Sequence, residues 1–261
     1  MMTIASVLIA LAVGVWWLDR VAFSPADDRE VALAVLDDDD IRGQIASIVA
    51  AADAATLEQS PTQLKEFIEQ IARIPDGAAL MSAIVADGHA RLIGQSDELV
   101  LITADQQVTI VRDERVGEAA SLTLPVQQIG SMSFLDDSIQ WVAIALAGAG
   151  LLALLAGIVL RPERGEGTFA LGVGLATLAG SLFVFGYLVP LALLPALSDD
   201  PWMGVFPQLA GHHRNVTVLL AVTALGLAAV VVFGTTSRRQ RRQSSTPLNV
   251  TRYREDRTWS R

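Results

Sequence analysis

The sequence predicts an α-helical membrane protein with four transmembrane helices and an extracytoplasmic α+β domain of about four helices and a small β-hairpin or sheet. Three observations lead there. Residues 1–18, 138–160, 167–198 and 215–237 contain no Asp, Glu, Lys or Arg. Each run is as long as the roughly 17–25 residues a helix needs to cross a ~30 Å hydrocarbon core, where backbone hydrogen bonds must be satisfied within the segment. The cations between the runs are unevenly distributed, and residues 19–137 break into short amphipathic stretches whose period changes near residue 98.

The first run, 1–18, reads as a signal anchor. It lacks a basic leading region, and no small-x-small cleavage site stands near Phe23-Ser24-Pro25. Residues 19–137 hold 22 acidic and 8 basic residues, a net of −14, whereas 238–261 hold eight arginines against Glu255 and Asp256, a net of +6. Lys and Arg flanking a span stay on the cytoplasmic side. A cytoplasmic C-terminus keeps Arg161, Arg164 and the tail arginines inside, against Arg214 in the short outer loop. Both termini are then cytoplasmic in a plasma membrane, and 19–137 is extracytoplasmic.

Within 19–137, Ser24-Pro25-Ala26-Asp27 is a helix entry with Ser as cap and Pro in the first turn. Asp37 to Asp40 end that helix and start the next, whose stripe is Ile41, Ile45, Ile48, Val49 and Ala52. Ser60-Pro61 opens a third helix with Leu64, Phe67, Ile68 and Ile71 on one face. Pro75-Asp76-Gly77 reads as a break, and 78–93 as a fourth helix weakened by Gly88 and closed by Gly94. The β-branched stretches 98–103 and 107–112, around Ala104-Asp105-Gln106, predict a hairpin, with 121–126 as a further extended piece. The segment's size suits one domain able to fold by itself.

Residues 138–160 form the second crossing, 161–167 a cytoplasmic turn, and 168–189 the third crossing, ended by Pro190 and Pro195. An outer loop, 190–214, is expected to lie in the interface with Trp202 at headgroup level. The fourth crossing is 215–237, and 238–261 reads as a disordered basic tail.

The order of parts resembles a functionally uncharacterised actinobacterial family of small polytopic membrane proteins with an N-terminal anchor, an extracytoplasmic α+β domain and three C-terminal transmembrane helices. The matching pieces are the anchor, Phe23-Ser24-Pro25, the step from Val35-Leu36-Asp37 to Ile41, the strand region 97–111, and Arg161-Pro162-Glu163-Arg164-Gly165. The resemblance implies an architecture and no activity.

Composition narrows the chemistry. The chain has no cysteine, which removes disulfides, thiolate metal sites and Cys nucleophiles. Asp37 to Asp40 fail the EF-hand spacing at Ile41 and are read as helix caps. His212-His213 is read as a solvated loop pair, and His89 has no identifiable partner. No catalytic, cofactor, metal or nucleic-acid site is expected. Small residues at Ala149, Ala153 and Gly157, and at Gly172, Ala176 and Gly180, fall at spacings of four and are candidate helix-packing faces. Arg238, Arg239, Arg241 and Arg242 are candidate lipid-headgroup contacts. Uncharged spans argue against ion-coupled transport. The expected function is a non-enzymatic envelope scaffold or accessory subunit that contacts the lipid bilayer and a membrane or envelope protein, with homo-oligomerisation as one use of the small-residue faces. The alternative is a component of a transport or channel complex.

Overall fold

The structure, a computed structural model, describes residues 1–24, 29–160 and 166–244, with side chains to residue 234. It is mostly helical, with a two-stranded sheet. Four helices are long and apolar enough to cross a membrane: Met2–Phe23, Gly130–Val159, Glu166–Leu193 and Pro201–Gly234. That points to a multi-pass membrane protein.

Helix α1 (Met2–Leu18) continues into a π-helical turn, Asp19–Phe23. Helix α2 (Arg29–Val35) follows, while the Pro25–Asp27 part of the expected entry lies outside the described residues. Helix α3 (Asp39–Asp53) starts where the aspartates predict, because the Asp38 carboxylate accepts from the backbone N–H groups of Asp40 (3.0 Å) and Ile41 (3.2 Å). Helix α4 (Pro61–Ala72) has Pro at its first position. Helix α5 (Pro75–Leu92) corrects one expectation, since Pro75-Asp76-Gly77 forms its first turn and not a break. Gly94 follows its end at φ +83°, a left-handed conformation that costs Gly least.

The expected hairpin does not form. Strand β1 (Val100–Ile102) pairs antiparallel with β2 (Leu122–Leu124), Val100 opposite Leu124. Between them lies helix α6 (Ala104–Val111), which takes in most of the stretch read as a strand. Its cause is a capping box: the Gln106 N–H donates to Thr103 Oγ1 (3.3 Å) and the Thr103 N–H to Gln106 Oε1 (2.8 Å). Buried Gln107 then donates from Nε2 to the carbonyls of Ile102 and Ala120, tying the helix to both strand segments.

Helix α7 (Gly130–Val159) is a single rod of 30 residues. Helix α8 (Glu166–Phe183) runs on through a π-helical segment, Val184–Leu193, so Pro190 sits inside a helix and does not end it. The wider turn absorbs the missing Pro donor, and the Leu194 N–H reaches back five residues to Val189 O (3.0 Å). The chain breaks only near Pro195. The expected outer loop is likewise largely helical, because helix α9 (Val205–Ser244) begins ahead of the uncharged run and carries its backbone past the start of the expected disordered tail.

The extensive helix contacts run in the order α7, α1, α8, α9, with the π segment bridging α9 and α1. Glycines set these seams. A Cβ at Gly150 would stand 2.8 Å from Ile9, one at Gly174 2.7 Å from Ser6, and one at Gly14 2.6 Å from Ser181. Polar side chains also clamp α1 to α8 and α9. Ser6 Oγ donates to Ala170 O (2.8 Å), Ser181 Oγ to Ala10 O (2.9 Å), and Trp17 Nε1 to Thr217 Oγ1 (3.0 Å).

The core of the small-helix domain is not confined to residues 19–137. Leu36, Ile41, Ile45, Leu64, Ile68, Met81 and Ile84 form one cluster with Val15, Leu18 and Phe23 from the first long helix and with Trp202, Phe206 and Leu209 from the last. Trp202 and Phe206 are fully buried, so the Trp202 ring packs against protein.

Candidate functional site

Two places combine polar chemistry with shape: the seam where the domain sits on the long helices, and a cleft beside it.

The seam is built by groups that the helix ends leave over. A helix leaves its last carbonyls without intrahelical donors. Here His89 Nε2 donates to Ala22 O (2.9 Å), and Gln95 Nε2 donates to Phe23 O (3.0 Å) and to Asp136 Oδ1 (3.1 Å). The carbonyl requires the Nε2–H tautomer, which leaves His89 Nδ1 as an unpartnered acceptor. His89 lies edge-on to Phe206, with ring centroids 6.1 Å apart. On the other side, Trp202 Nε1 donates to Gln44 Oε1 (2.7 Å), and its ring lies on the backbone of α5 at Gly88, where a Cβ would stand 2.3 Å from the indole. Gly88 therefore weakens the helix locally and makes room for the tryptophan. The Asp38 carboxylate packs on Gly204 in the turn that carries Trp202.

Burial pushes the His89 imidazole down to about 4, a shift its bond to Ala22 opposes without offsetting. The unfolded chain takes up a proton near the ordinary histidine value while the folded chain does not, so stability present above pH ~6.5 is lost as pH falls toward about 4. The loss should approach roughly 3 kcal/mol. His89→Gln keeps an N–H donor and does not titrate. Melting curves of parent and variant should therefore diverge over this window, with the parent falling more steeply. Parallel curves would remove His89 from the seam's energetics.

The cleft has a volume of about 830 Å³ and is lined by Arg29, Glu30, Leu33 and Ala34 of α2, Asp37 just past its end, Arg73 and Pro75 at the α4–α5 junction, and His212 of α9. Arg29 is held in place by bonds to Pro75 O (3.1 Å) and Asp76 Oδ1 (2.6 Å). Arg73 reaches Asp39 Oδ1 at 3.4 Å and remains 60% exposed. Asp39 also pairs with buried Arg42, whose Nη1 donates to Leu36 O (2.6 Å). The aspartate run is thus occupied by capping and ion pairs at Asp38 and Asp39. Among the described residues, no group of three or more His, Asp or Glu is placed to hold a metal ion.

His212 and His213 lie on the first turns of α9 and not on a loop, with ring centroids 4.9 Å apart. Asp53, the last residue of α3, is 1% exposed with Oδ2 unpartnered, and burial pushes its carboxyl up.

Of the expected packing faces, Gly157 is buried against Met2 and Gly172 against Val231 and Val232, while Ala153 is half-buried. Ala149, Ala176 and Gly180 are exposed, and a Cβ at Gly180 would meet nothing within 4 Å. The buried registers are Gly150 with Gly157 on α7 and Gly172 with Gly174 on α8. Ala176 and Gly180 instead line a groove of about 430 Å³ with Ala179, Phe183, Val218, Ala221, Val222 and Leu225. The side chains of Arg238, Arg239, Arg241 and Arg242 lie outside the described residues. His89 and Trp202 were visible in the sequence only as a lone histidine and an interfacial tryptophan, since their partners lie far away along the chain. Comparison with protein-family models, with curated proteins and with solved structures finds no match.

Proposed function

We propose that this chain is a four-crossing integral membrane protein that acts by binding, as a scaffold or accessory subunit for another membrane or envelope protein, with residues 19–137 outside and both termini in the cytoplasm. The observation that carries the reading is the position of α7. It packs on α1 and the π-helical turn, its first turns touch the small-helix domain through Met132 and Asp136, and the rest of its length is largely exposed, with Trp141 73% and Phe134 71% exposed. Trp141, three residues into the uncharged run, suits the headgroup layer that the proposed topology puts there. Phe134 stands about two turns, or ~10 Å, beyond it and past Asp136 and Asp137, where an exposed aromatic is surface for a protein rather than for acyl chains. Serine, threonine and tryptophan polar groups in the spans clamp helices together, which supports a structural rather than a conducting role.

The test has two parts. A reporter active only outside the membrane should work when fused after Asp137 and fail after Arg261; activity at the C-terminal fusion overturns the orientation. A photo-crosslinking residue at Phe134 should then capture a defined protein in intact cells, and the same residue at Gly180 should not. Capture of lipid alone at Phe134 overturns the binding role.

A further inference from the structure

The geometry points to the cleft between α2, the α4–α5 junction and α9 as a binding site for a headgroup that carries both a primary amine and a phosphate. The inference rests on the long run of α9 lying in hydrocarbon, and not on which protein the chain serves.

The two chemical halves of such a ligand have separate partners on the cleft walls. Glu30 and Asp37, seven positions apart along one wall, carry no side-chain hydrogen bond or ion pair among the described residues. A primary ammonium offers three N–H donors to such carboxylates. On the same cleft, Arg73 keeps guanidinium donors beyond the one that reaches Asp39, and His212 adds a ring nitrogen. Guanidinium donors match phosphate oxygens. Leu33, Ala34 and Pro75 give the space between them an apolar surface. The volume, about 830 Å³, lies within the usual range of small-molecule sites, roughly 300–1,000 Å³.

Position selects the source. His212 precedes the uncharged run 215–237 by three residues, about 4.5 Å along the helix, which puts one wall of the cleft at headgroup level. A lipid in the adjoining leaflet reaches it without leaving the bilayer. A purely anionic lipid would leave Glu30 and Asp37 without a donor, and a quaternary ammonium has no N–H to give them.

Native mass spectrometry of the full chain in mild detergent tests this with three added lipids: phosphatidylethanolamine, phosphatidylglycerol and phosphatidylcholine. Phosphatidylethanolamine should be retained in preference to the other two. The double variant Glu30→Gln with Asp37→Asn should weaken that retention by about tenfold, the scale of charge-assisted hydrogen bonds, while phosphatidylglycerol, relieved of two repelling carboxylates, is retained at least as well as before. Arg73→Gln should weaken all three. Melting of each variant without lipid controls for folding, and these exposed positions should leave it unchanged. Soluble phosphoethanolamine displacing the lipid at comparable concentration would keep the site and make its ligand a free metabolite; failure to displace assigns it to the lipid. Equal retention of the three lipids, or retention indifferent to the double variant, overturns the proposal.

Discussion

Trp202→Ala should destabilise the protein by about 3–5 kcal/mol, the range for truncating a fully buried aromatic side chain. Three losses converge there. The indole is completely buried, it is the donor to Gln44, and it fills the space that Gly88 leaves open on α5. Truncation leaves a cavity and strands the Gln44 carbonyl oxygen. Gln44→Leu separates the contributions, since it removes the acceptor and keeps the ring, and should cost only about 1–2 kcal/mol. Thermal unfolding in detergent measures both. A Trp202→Ala protein that melts with the parent would mean the ring is not a core residue. The isolated segment 19–137 should also show no cooperative transition of its own, because it lacks Trp202, Phe206 and Leu209.

Gly174→Leu should separate α1 from α8, whereas Gly180→Leu should leave the chain's own fold unchanged. Both glycines lie on α8, six residues apart. At Gly174 even a Cβ would stand 2.7 Å from Ser6, so a leucine must push the helices apart and break the bond from Ser6 Oγ to Ala170 O. Close packing is the main attraction between helices in lipid, and overpacking of this kind costs about 1–3 kcal/mol or more. At Gly180 the added atoms enter an open groove. Because the chain has no cysteine, Ala10→Cys with Ser181→Cys makes a clean reporter, Ser181 Oγ lying 2.9 Å from Ala10 O in the parent. Cross-linking should be lost with Gly174→Leu and kept with Gly180→Leu. The reverse pattern would place the seam on the other face of α8.

The long helices and the Asp38 cap were legible in the sequence because they depend on nearby residues. A run without charge is a local property, and so is Asp38 ahead of Asp40 and Ile41. At 107–112 the β-branched content suggests a strand, but the Thr103-x-x-Gln106 box just ahead of it decides the first turn of α6. The packing faces were half legible for a different reason. Small residues recur at many spacings in these helices, and spacing says which of them share a face but not which face meets a neighbour. Gly150 and Gly174 won over Ala149 and Ala176 because Ile9 and Ser6 lie opposite them. The seam was the least legible part. His89 meets a carbonyl 67 residues away and Trp202 an amide 158 residues away, and periodicity records that a side chain is buried without naming what buries it.

The shared core also fixes an order of events during synthesis. The ribosome makes α1 first and α7 later, and those two can pair at once, since α7 packs chiefly on α1. The domain between them is finished by then in length but not in substance, for Trp202, Phe206 and Leu209 have yet to be made. It must wait, with the hole at Gly88 unfilled, until the chain has travelled through α8 and returned. The part translated early is completed by a part translated much later, so a chain that stalls before residue 209 leaves an open apolar pocket of the kind that chaperones and proteases recognise.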